Sequence, residues 1–170
     1  MQRIAKFHKV SFEQFKADWV DTFPDTPEEE IIHIYEGIRL PARATSGSAG
    51  YDFFTPVPLT LAPSENRKVP TGIRAEIDAG WVLQIFPRSS LGFKFRLQLN
   101  NTVGIIDSDY FYSDNEGHMF SKITNDTNEE KTIDIAQGEG FMQGIFVEYG
   151  ITLDDDVTDV RNGGFGSTTK

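Results

Sequence analysis

The sequence predicts an all-β domain, a jelly roll or β-barrel, with a short helical extension before it and a mobile arm after it. Short apolar or alternating runs separated by Gly, Pro, Asn and Asp fill residues 31–160, mostly without a helical period. Residues 1–30 instead carry aromatic side chains at helical spacing. Residues 161–170 are rich in glycine and hydroxyl side chains, a composition typical of a mobile segment.

Size, charge and cysteine content narrow the class of protein. The chain has 170 residues and no evident repeat, so one domain with one core is expected. A hydrophobic fraction of 38% argues against a disordered chain, and the absence of Cys excludes disulfides and thiolate chemistry. No long apolar run or signal-like N-terminus is present, which favours a cytoplasmic protein without a membrane partner. The net charge of −10 argues against broad nucleic-acid binding.

The extension over residues 1–30 should contain one short helix. Ser11 followed by Gln14 has the spacing of a capping box, and Phe15 and Trp19 lie one helical turn apart. Two prolines and an acidic run follow, so the helix should end before them.

Within the β domain over residues 31–160, strand patterns are clear at 31–35, 80–86 and 144–149. Turn residues recur between such runs, as expected for a barrel or a jelly roll. The polar stretch 125–131 separates two apolar runs and is predicted to be a hairpin loop.

The segment 104–110 places two carboxylates and a phenol directly after an apolar run. A carboxylate at Asp107 could orient and deprotonate a water there. An ordinary turn would instead use Asp107 and Asp109 to bond nearby backbone N–H groups, and for the segment alone this interpretation is favoured. Spacing to other motifs decides between the two.

Residues 87–92 bring a guanidinium beside two hydroxyls. The planar fork of Arg88 suits bidentate contact with phosphate or carboxylate, and Ser89 and Ser90 add donors. The alternative is a surface turn with a structural ion pair. Asp52 is a plausible partner for Arg88 and would then be structural rather than catalytic.

The arm over residues 161–170 combines glycines with Arg161, Phe165 and several hydroxyls. Backbone N–H groups and hydroxyls could hold phosphate while Phe165 covers a flat ring. A frayed terminus is the alternative for this segment taken alone.

Taken in order, five segments resemble the five motifs of the trimeric dUTPase family. They are residues 48–52, 87–92, 101–110, 138–143 and 161–168. Motifs in the right order at compatible spacing are far more specific than any one of them. The resemblance covers about residues 31–170 and implies the family's jelly-roll fold and the hydrolysis of dUTP to dUMP and pyrophosphate.

Two features depart from the family's pattern. Gly140 stands where the fourth motif usually has an arginine, so the support of that arginine must come from elsewhere or be dispensed with. Residues 111–117 replace a shorter step and look like an insertion beside the site. We expect this insertion to tune access or to bind another protein.

The resemblance also implies roles for individual residues. Asp107 would deprotonate the attacking water, Tyr110 would press on the deoxyribose and reject UTP by clash, and Asp52 would support Arg88. Asn101 and nearby backbone groups would read the uracil edge, while Phe165 would stack on the base. The residues implied in substrate binding are Arg88, Ser89, Ser90, Asn101, Gly104, Ile106, Tyr110, Gln143, Arg161, Phe165, Gly166, Ser167 and Thr168.

The implied cofactor is Mg²⁺, held mainly by substrate phosphates and water rather than by protein ligands. His8, His33 and His118 are scattered and lack a shared ligand spacing. We therefore interpret them as ordinary surface or strand residues. In the family each active site combines motifs from three subunits, so a homotrimer with shared sites is expected.

Two alternatives belong to other functional classes. A dCTP deaminase shares the fold and an Arg-Ser-Ser segment, but the turn at 107–110 and the arm at 163–168 argue against it. A non-catalytic regulator would use the arm and the region around Asn115 to bind a partner protein, and this role is compatible with catalysis.

Deleting residues 163–170 should abolish most dUTP hydrolysis and leave the oligomer and its melting temperature nearly unchanged. The reason is that this polar tail offers few core contacts but would close over the bound phosphates. Steady-state assays and thermal denaturation of the truncated and full chains measure the two effects. Full activity of the truncated chain would show that the tail is only a frayed terminus.

Overall fold

The computed structural model describes residues 1–161 and 163, and within them the chain forms eleven β-strands, three α-helices and a 3₁₀ helix. The strands are β1 Ala5–Lys9, β2 Tyr51–Phe54, β3 Leu59–Leu61, β4 Asn66–Pro70, β5 Ile73–Ile77, β6 Trp81–Pro87, β7 Leu97–Leu99, β8 Gly104–Ile106, β9 Phe120–Asn125, β10 Ile133–Ile135 and β11 Gly140–Glu148. The helices are α1 Phe12–Thr22, α2 Glu28–Gly37, α3 Ser89–Phe95 and the 3₁₀ helix Ser108–Tyr112. The all-β prediction is confirmed, since strands make up most of the regular structure.

The strands form four antiparallel sheets. The largest has the order β2-β11-β6-β8, the second has the order β4-β9-β7, and β1-β5 and β3-β10 are two-stranded. Their inner faces supply one hydrophobic core, in which Phe53, Leu83, Ile123 and Phe141 are almost completely buried. Burial of such side chains is the main favourable term in folding.

Helix α1 forms where its pattern predicted. The Ser11 side chain accepts a hydrogen bond from the Gln14 backbone N–H at 3.2 Å, which caps the first turn. The Gln14 side chain donates to Asp18 at 2.9 Å, so only the Ser half of the predicted capping box is present. Phe15 and Trp19, one turn apart, are buried on the same face.

The strand predicted at residues 31–35 is wrong, because this segment lies in helix α2. Three glutamates occupy the first turn of α2, where negative charge is favourable near the helix N-terminus. Ile31, Ile34 and Ile38 are all buried, and their spacing of three and four residues is that of a helix face. A run as short as 31–35 fits both the strand period and the helix period, and contact with the core decides between them.

The strands predicted near residues 80–86 and 144–149 are confirmed as β6 and β11, with shifted ends. The loop at 125–131 does not close a hairpin. It leads from β9, which pairs with β4 and β7, to β10, which pairs with β3. The loop therefore connects two sheets, and its polar sequence carries no information about the pairing partner of the strand that follows.

The N-terminal extension packs as part of the β domain. Strand β1 pairs with β5 through five residue pairs, and Val10, Phe15 and Trp19 belong to the same core as the sheets. The domain boundary predicted after residue 30 falls inside α2. None of the helices in the described part of the chain has the length and apolar character needed to cross a bilayer.

Replacing Phe15 with alanine should reduce the free energy of unfolding by about 3–5 kcal/mol, the usual loss when a buried aromatic ring leaves a cavity. Phe15 is fully buried between the extension and the sheets. Val20→Ala on the same helix is the matched control, because Val20 is exposed and should change stability by less than about 0.5 kcal/mol. Urea denaturation followed by circular dichroism measures both, and equal small losses would show that the extension is not part of the core.

Candidate active site

Asp107 lies at the turn between β8 and the 3₁₀ helix, at the position that precedes the helix. Its side chain makes no capping hydrogen bond, so the carboxylate is not used by its own turn. Arg161 contacts it instead: Nη2 donates to Asp107 Oδ2 at 2.7 Å, and Nε donates to Asp109 Oδ1 at 2.9 Å. Both carboxylates are about half exposed, at 50% and 51%, whereas Arg161 is 15% exposed. One guanidinium thus joins the predicted base Asp107, and its neighbour Asp109, to the start of the arm.

Tyr110 lies inside the 3₁₀ helix and is buried. Its hydroxyl donates to the His118 carbonyl at 2.7 Å and accepts from the Asn115 amide at 2.9 Å. Burial, followed by the Asp18 and Asp114 carboxylates, raises the pKa of the Tyr110 phenol, although Asn115 and Arg161 oppose the rise. The ring is therefore a neutral, firmly held surface at the predicted sugar position.

A small open cleft lies between the turn that follows β7, strand β8 and the first residues of β9. Asn101, Gly104 and Ile106, three of the residues implied in base recognition, line it together with Ser121 and Met142. Gly104 lies against the neighbouring strand, since a Cβ there would be 3.0 Å from the Cβ of Ile85.

A second group of predicted site residues gathers around the end of β6. Arg88 Nε lies 3.8 Å from Asp52 Oδ1, the structural pairing that the sequence suggested. Gln143 pairs with Asp52 on one side and with Phe86 on the other. Ser89 and Ser90 begin helix α3 and are largely accessible. This group therefore combines a cation, an amide and two hydroxyls, which are suitable donors for phosphate oxygens.

Arg88 lies beside Gly140, the position where the family's fourth motif usually has an arginine. A Cβ on Gly140 would lie 3.2 Å from Arg88 Nη1 and 3.5 Å from Arg88 Cδ. Arg88 Nη1 also donates a long hydrogen bond of 3.4 Å to the Gly140 carbonyl. The Arg88 guanidinium thus fills the space beside residue 140, which has no side chain of its own.

The two groups lie at opposite ends of β6. Ile106, just before Asp107, pairs with Leu83, whereas Arg88 directly follows the last residue of β6. At about 3.3 Å per residue, Asp107 and Arg88 of one chain are separated by roughly 15–20 Å along the strand. A single chain therefore does not bring the candidate base to the candidate phosphate donors.

The insertion at residues 111–117 contacts the N-terminal extension of its own chain. Glu116 accepts hydrogen bonds from the Ser11 backbone N–H and hydroxyl, both at 2.7 Å. The Arg74 guanidinium lies 3.6 Å from the centroid of the Phe111 ring and donates to the Phe111 carbonyl at 2.6 Å. The insertion thus holds the start of α1 against the β domain.

The interpretation of His118 as a surface or strand residue is wrong. His118 is completely buried, with Nδ1 at 2.5 Å from Asp18 Oδ2 and Nε2 accepting from the Gly72 backbone N–H at 2.8 Å. No sequence signal identified this pair, because its members are 100 residues apart and neither has a recognisable local pattern.

Four predicted arm residues lie outside the described part of the chain: Phe165, Gly166, Ser167 and Thr168. Their roles remain predictions. Arg161 is described, and it lies at the Asp107 turn of its own chain rather than with Arg88 and Gln143.

Comparisons with known proteins identify the family of the chain. The dUTPase family model matches residues 36–169. The deoxyuridine 5'-triphosphate nucleotidohydrolase of Lactococcus lactis subsp. lactis (strain IL1403) is 42% identical over 144 residues, which cover 82% of this chain and 95% of that protein. The corresponding enzyme of Hahella chejuensis (strain KCTC 2396) is 40% identical over 139 residues, covering 77% and 87%.

Solved structures give the same result. The crystal structure of the dUTPase from Streptococcus mutans has a TM-score of 0.62 and 31% identity, and covers 86% of this chain and 97% of that one. The dUTPase of phage phi11 of S. aureus has the same TM-score at 19% identity, over 92% and 97%, and supports the fold alone. The fold is therefore that of the jelly-roll nucleotide hydrolases. The chain belongs to the dUTPase family.

Replacing Gly140 with alanine should lower kcat/KM for dUTP by about threefold to tenfold, because the added methyl group pushes against the Arg88 guanidinium and misplaces a phosphate donor. Gly150→Ala is the matched control, since a Cβ there meets nothing within 4 Å. Steady-state kinetics compare the two variants, and indistinguishable values would show that the position of Arg88 does not depend on the space beside residue 140.

Proposed function

We propose that this chain hydrolyses dUTP to dUMP and pyrophosphate, with a water activated by Asp107 attacking the α-phosphorus. The observation that supports this assignment most directly is the placement of Asp107. This residue directly follows strand β8, which lines the cleft. Its carboxylate is half-exposed and makes no hydrogen bond that caps its own turn. A carboxylate in this position can take a proton from a bound water. The relatives from Lactococcus lactis and Hahella chejuensis act on deoxyuridine triphosphate by name, which favours the same substrate here over dCTP.

The cleft would hold the nucleoside. Asn101 and the backbone at Gly104 and Ile106 would read the uracil edge, and Tyr110 would press on the deoxyribose. Because the Tyr110 hydroxyl is already bonded to His118 and Asn115, the ring cannot easily move aside for a 2′-hydroxyl. Rejection of UTP would then arise from a clash rather than from a missing contact.

The phosphates would be held by the second group together with the arm. Ser89, Ser90 and Gln143 would position the α- and β-phosphates, and Arg88 would support them from its place against Asp52. Arg161 would leave the two carboxylates and contact the γ end as the arm closes. The arm residues Phe165, Gly166, Ser167 and Thr168 would complete this closure and exclude water.

Mg²⁺ is the cofactor that fits these residues. In the described part of the chain no three or more His, Cys, Asp or Glu side chains gather to form a metal cage. Mg²⁺ usually keeps several waters and binds through substrate phosphates, so this site would not need a set of protein ligands. When bound to the triphosphate, Mg²⁺ would neutralise part of the charge on the phosphate oxygens.

The active site would be shared among subunits of a homotrimer. The spacing of roughly 15–20 Å between Asp107 and Arg88 along β6 supports this proposal, because one nucleotide cannot place its α-phosphorus beside both groups of one chain. A neighbouring subunit would supply the phosphate donors for each Asp107.

Two further expectations stay predictions. Residues 111–117 would offer a protein partner the exposed ring of Tyr112, while the rest of the insertion holds the extension in place. The cytoplasmic location likewise stays a prediction.

Replacing Asp107 with asparagine should lower kcat for dUTP by about a hundredfold or more with little loss of dUMP binding, because the amide retains the shape but not the basicity of the carboxylate. Asp109→Asn is the matched control: it loses a contact with the same arginine but should keep kcat within about tenfold of the wild-type value. Similar rates for the two variants would remove Asp107 from the role of base.

Mixing two inactive variants tests the shared site. Asp107→Asn and Arg88→Ala chains, co-expressed and isolated as mixed trimers, should regain activity, because some sites then combine an intact Asp107 from one chain with an intact Arg88 from another. Random assembly gives about one quarter intact sites. The control mixes Asp107→Asn with a chain carrying both changes and should stay inactive. Light scattering gives the mass of the assembly, and a failure of the first mixture to regain activity would contradict the shared site.

A further inference from the structure

Ser121 differs from the other buried polar residues of the described chain in having a hydroxyl without a hydrogen-bond partner. The other buried polar residues are Thr55, Thr71, Ser113, His118 and Asn125. Thr55, for example, donates to the Val57 carbonyl at 2.6 Å, and Asn125 donates to the Leu61 carbonyl at 2.9 Å. Buried polar groups are usually paired, and an unpaired hydroxyl costs stability.

The position of Ser121 is fixed by strand β9. Alternate side chains of β9 point inward, and Ser121, Ile123 and Asn125 are the buried set. The backbone of Ser121 pairs with Val69 of β4, so the strand cannot easily rotate to expose the hydroxyl. Ser121 is 3% exposed, at a position where an apolar residue would bury without cost.

The same residue lines the cleft that contains Asn101, Gly104 and Ile106. Met119 and Met142 add apolar surface to the lining of the cleft. A pocket of this kind binds a flat ring through apolar contacts and orients it through a few polar groups. Ser121, a residue of this lining, carries a hydroxyl that has no hydrogen-bond partner, and a hydroxyl can donate or accept a hydrogen bond.

We propose that Ser121 is a specificity-determining residue whose hydroxyl hydrogen-bonds the pyrimidine base of the nucleotide bound in this cleft. The inference rests on the proposed function, because it takes the cleft to be the base site of a dUTP-hydrolysing enzyme. It adds a contact from β9, a strand that lies outside all five motif segments. The free protein would retain the stability cost of the unpaired hydroxyl, which the bound base relieves.

The test compares Ser121→Ala with Thr55→Val in the full-length chain. Ser121→Ala should weaken dUMP binding and raise KM for dUTP by about threefold to tenfold, with kcat within about twofold, because a base contact is made equally in the ground and transition states. The melting temperature of the free Ser121→Ala protein should be unchanged or higher. Thr55→Val loses a satisfied buried hydroxyl and should show the opposite pattern: a lower melting temperature and unchanged dUMP affinity.

Calorimetric titration with dUMP, steady-state kinetics with dUTP and thermal denaturation give the three measurements. If the wild-type chain neither binds dUMP nor hydrolyses dUTP, the proposed function and this inference both fail. If the wild-type chain is active and Ser121→Ala binds dUMP equally well, the inference alone is overturned. A lower melting temperature for Ser121→Ala with unchanged affinity would assign the hydroxyl to a structural water and would also overturn it.

Discussion

The pairing of β6 with its two neighbours positions both groups of the candidate active site. Seven consecutive residue pairs join β6 to β11, and three join it to β8. Two glycines allow these strands to approach closely: a Cβ on Gly104 would lie 3.0 Å from the Cβ of Ile85, and one on Gly144 would lie 2.9 Å from Cδ1 of both Ile85 and Leu83. A slip of one residue in either pairing would turn the inward side chains outward. The positions of the Asp107 turn and of the group around Arg88 thus depend on one strand register.

Charge gives a reason why a cation should accompany the triphosphate. The protein carries a net charge of −10, so a triphosphate is attracted only by local cations. Within one chain, however, Arg88 faces Asp52, and Arg161 is bonded to both Asp107 and Asp109. Each cation is already balanced by carboxylate. A Mg²⁺ ion on the phosphates would supply the missing positive charge.

The sequence predicted those features whose signals are local. Helix α1 shows aromatic residues at helical spacing, strands β6 and β11 are short apolar runs between turn residues, and the turn at Asp107 is recognised from adjacent residues. The helix at 31–35 was missed because five residues fit two periods, and the partner of β10 was missed because pairing depends on distant strands. Arg161 contacts Asp107, and His118 contacts Asp18, across 54 and 100 residues of sequence. A local sequence pattern does not show which distant residues will meet.

The His118 contacts link the N-terminal extension to Tyr110, the residue proposed to contact the deoxyribose. Because Nε2 accepts from the Gly72 N–H, the neutral ring carries its proton on Nδ1 and donates it to Asp18. Burial would raise the pKa of Asp18, but hydrogen bonds from His118 and Gln14 lower it below its ordinary value. A lowered pKa means that Asp18 stabilises the fold above the unfolded-state pKa and that this contribution is lost as pH falls through the folded-state pKa. The His118 carbonyl accepts the Tyr110 hydroxyl, so the same residue that anchors α1 also fixes the ring proposed to exclude ribonucleotides.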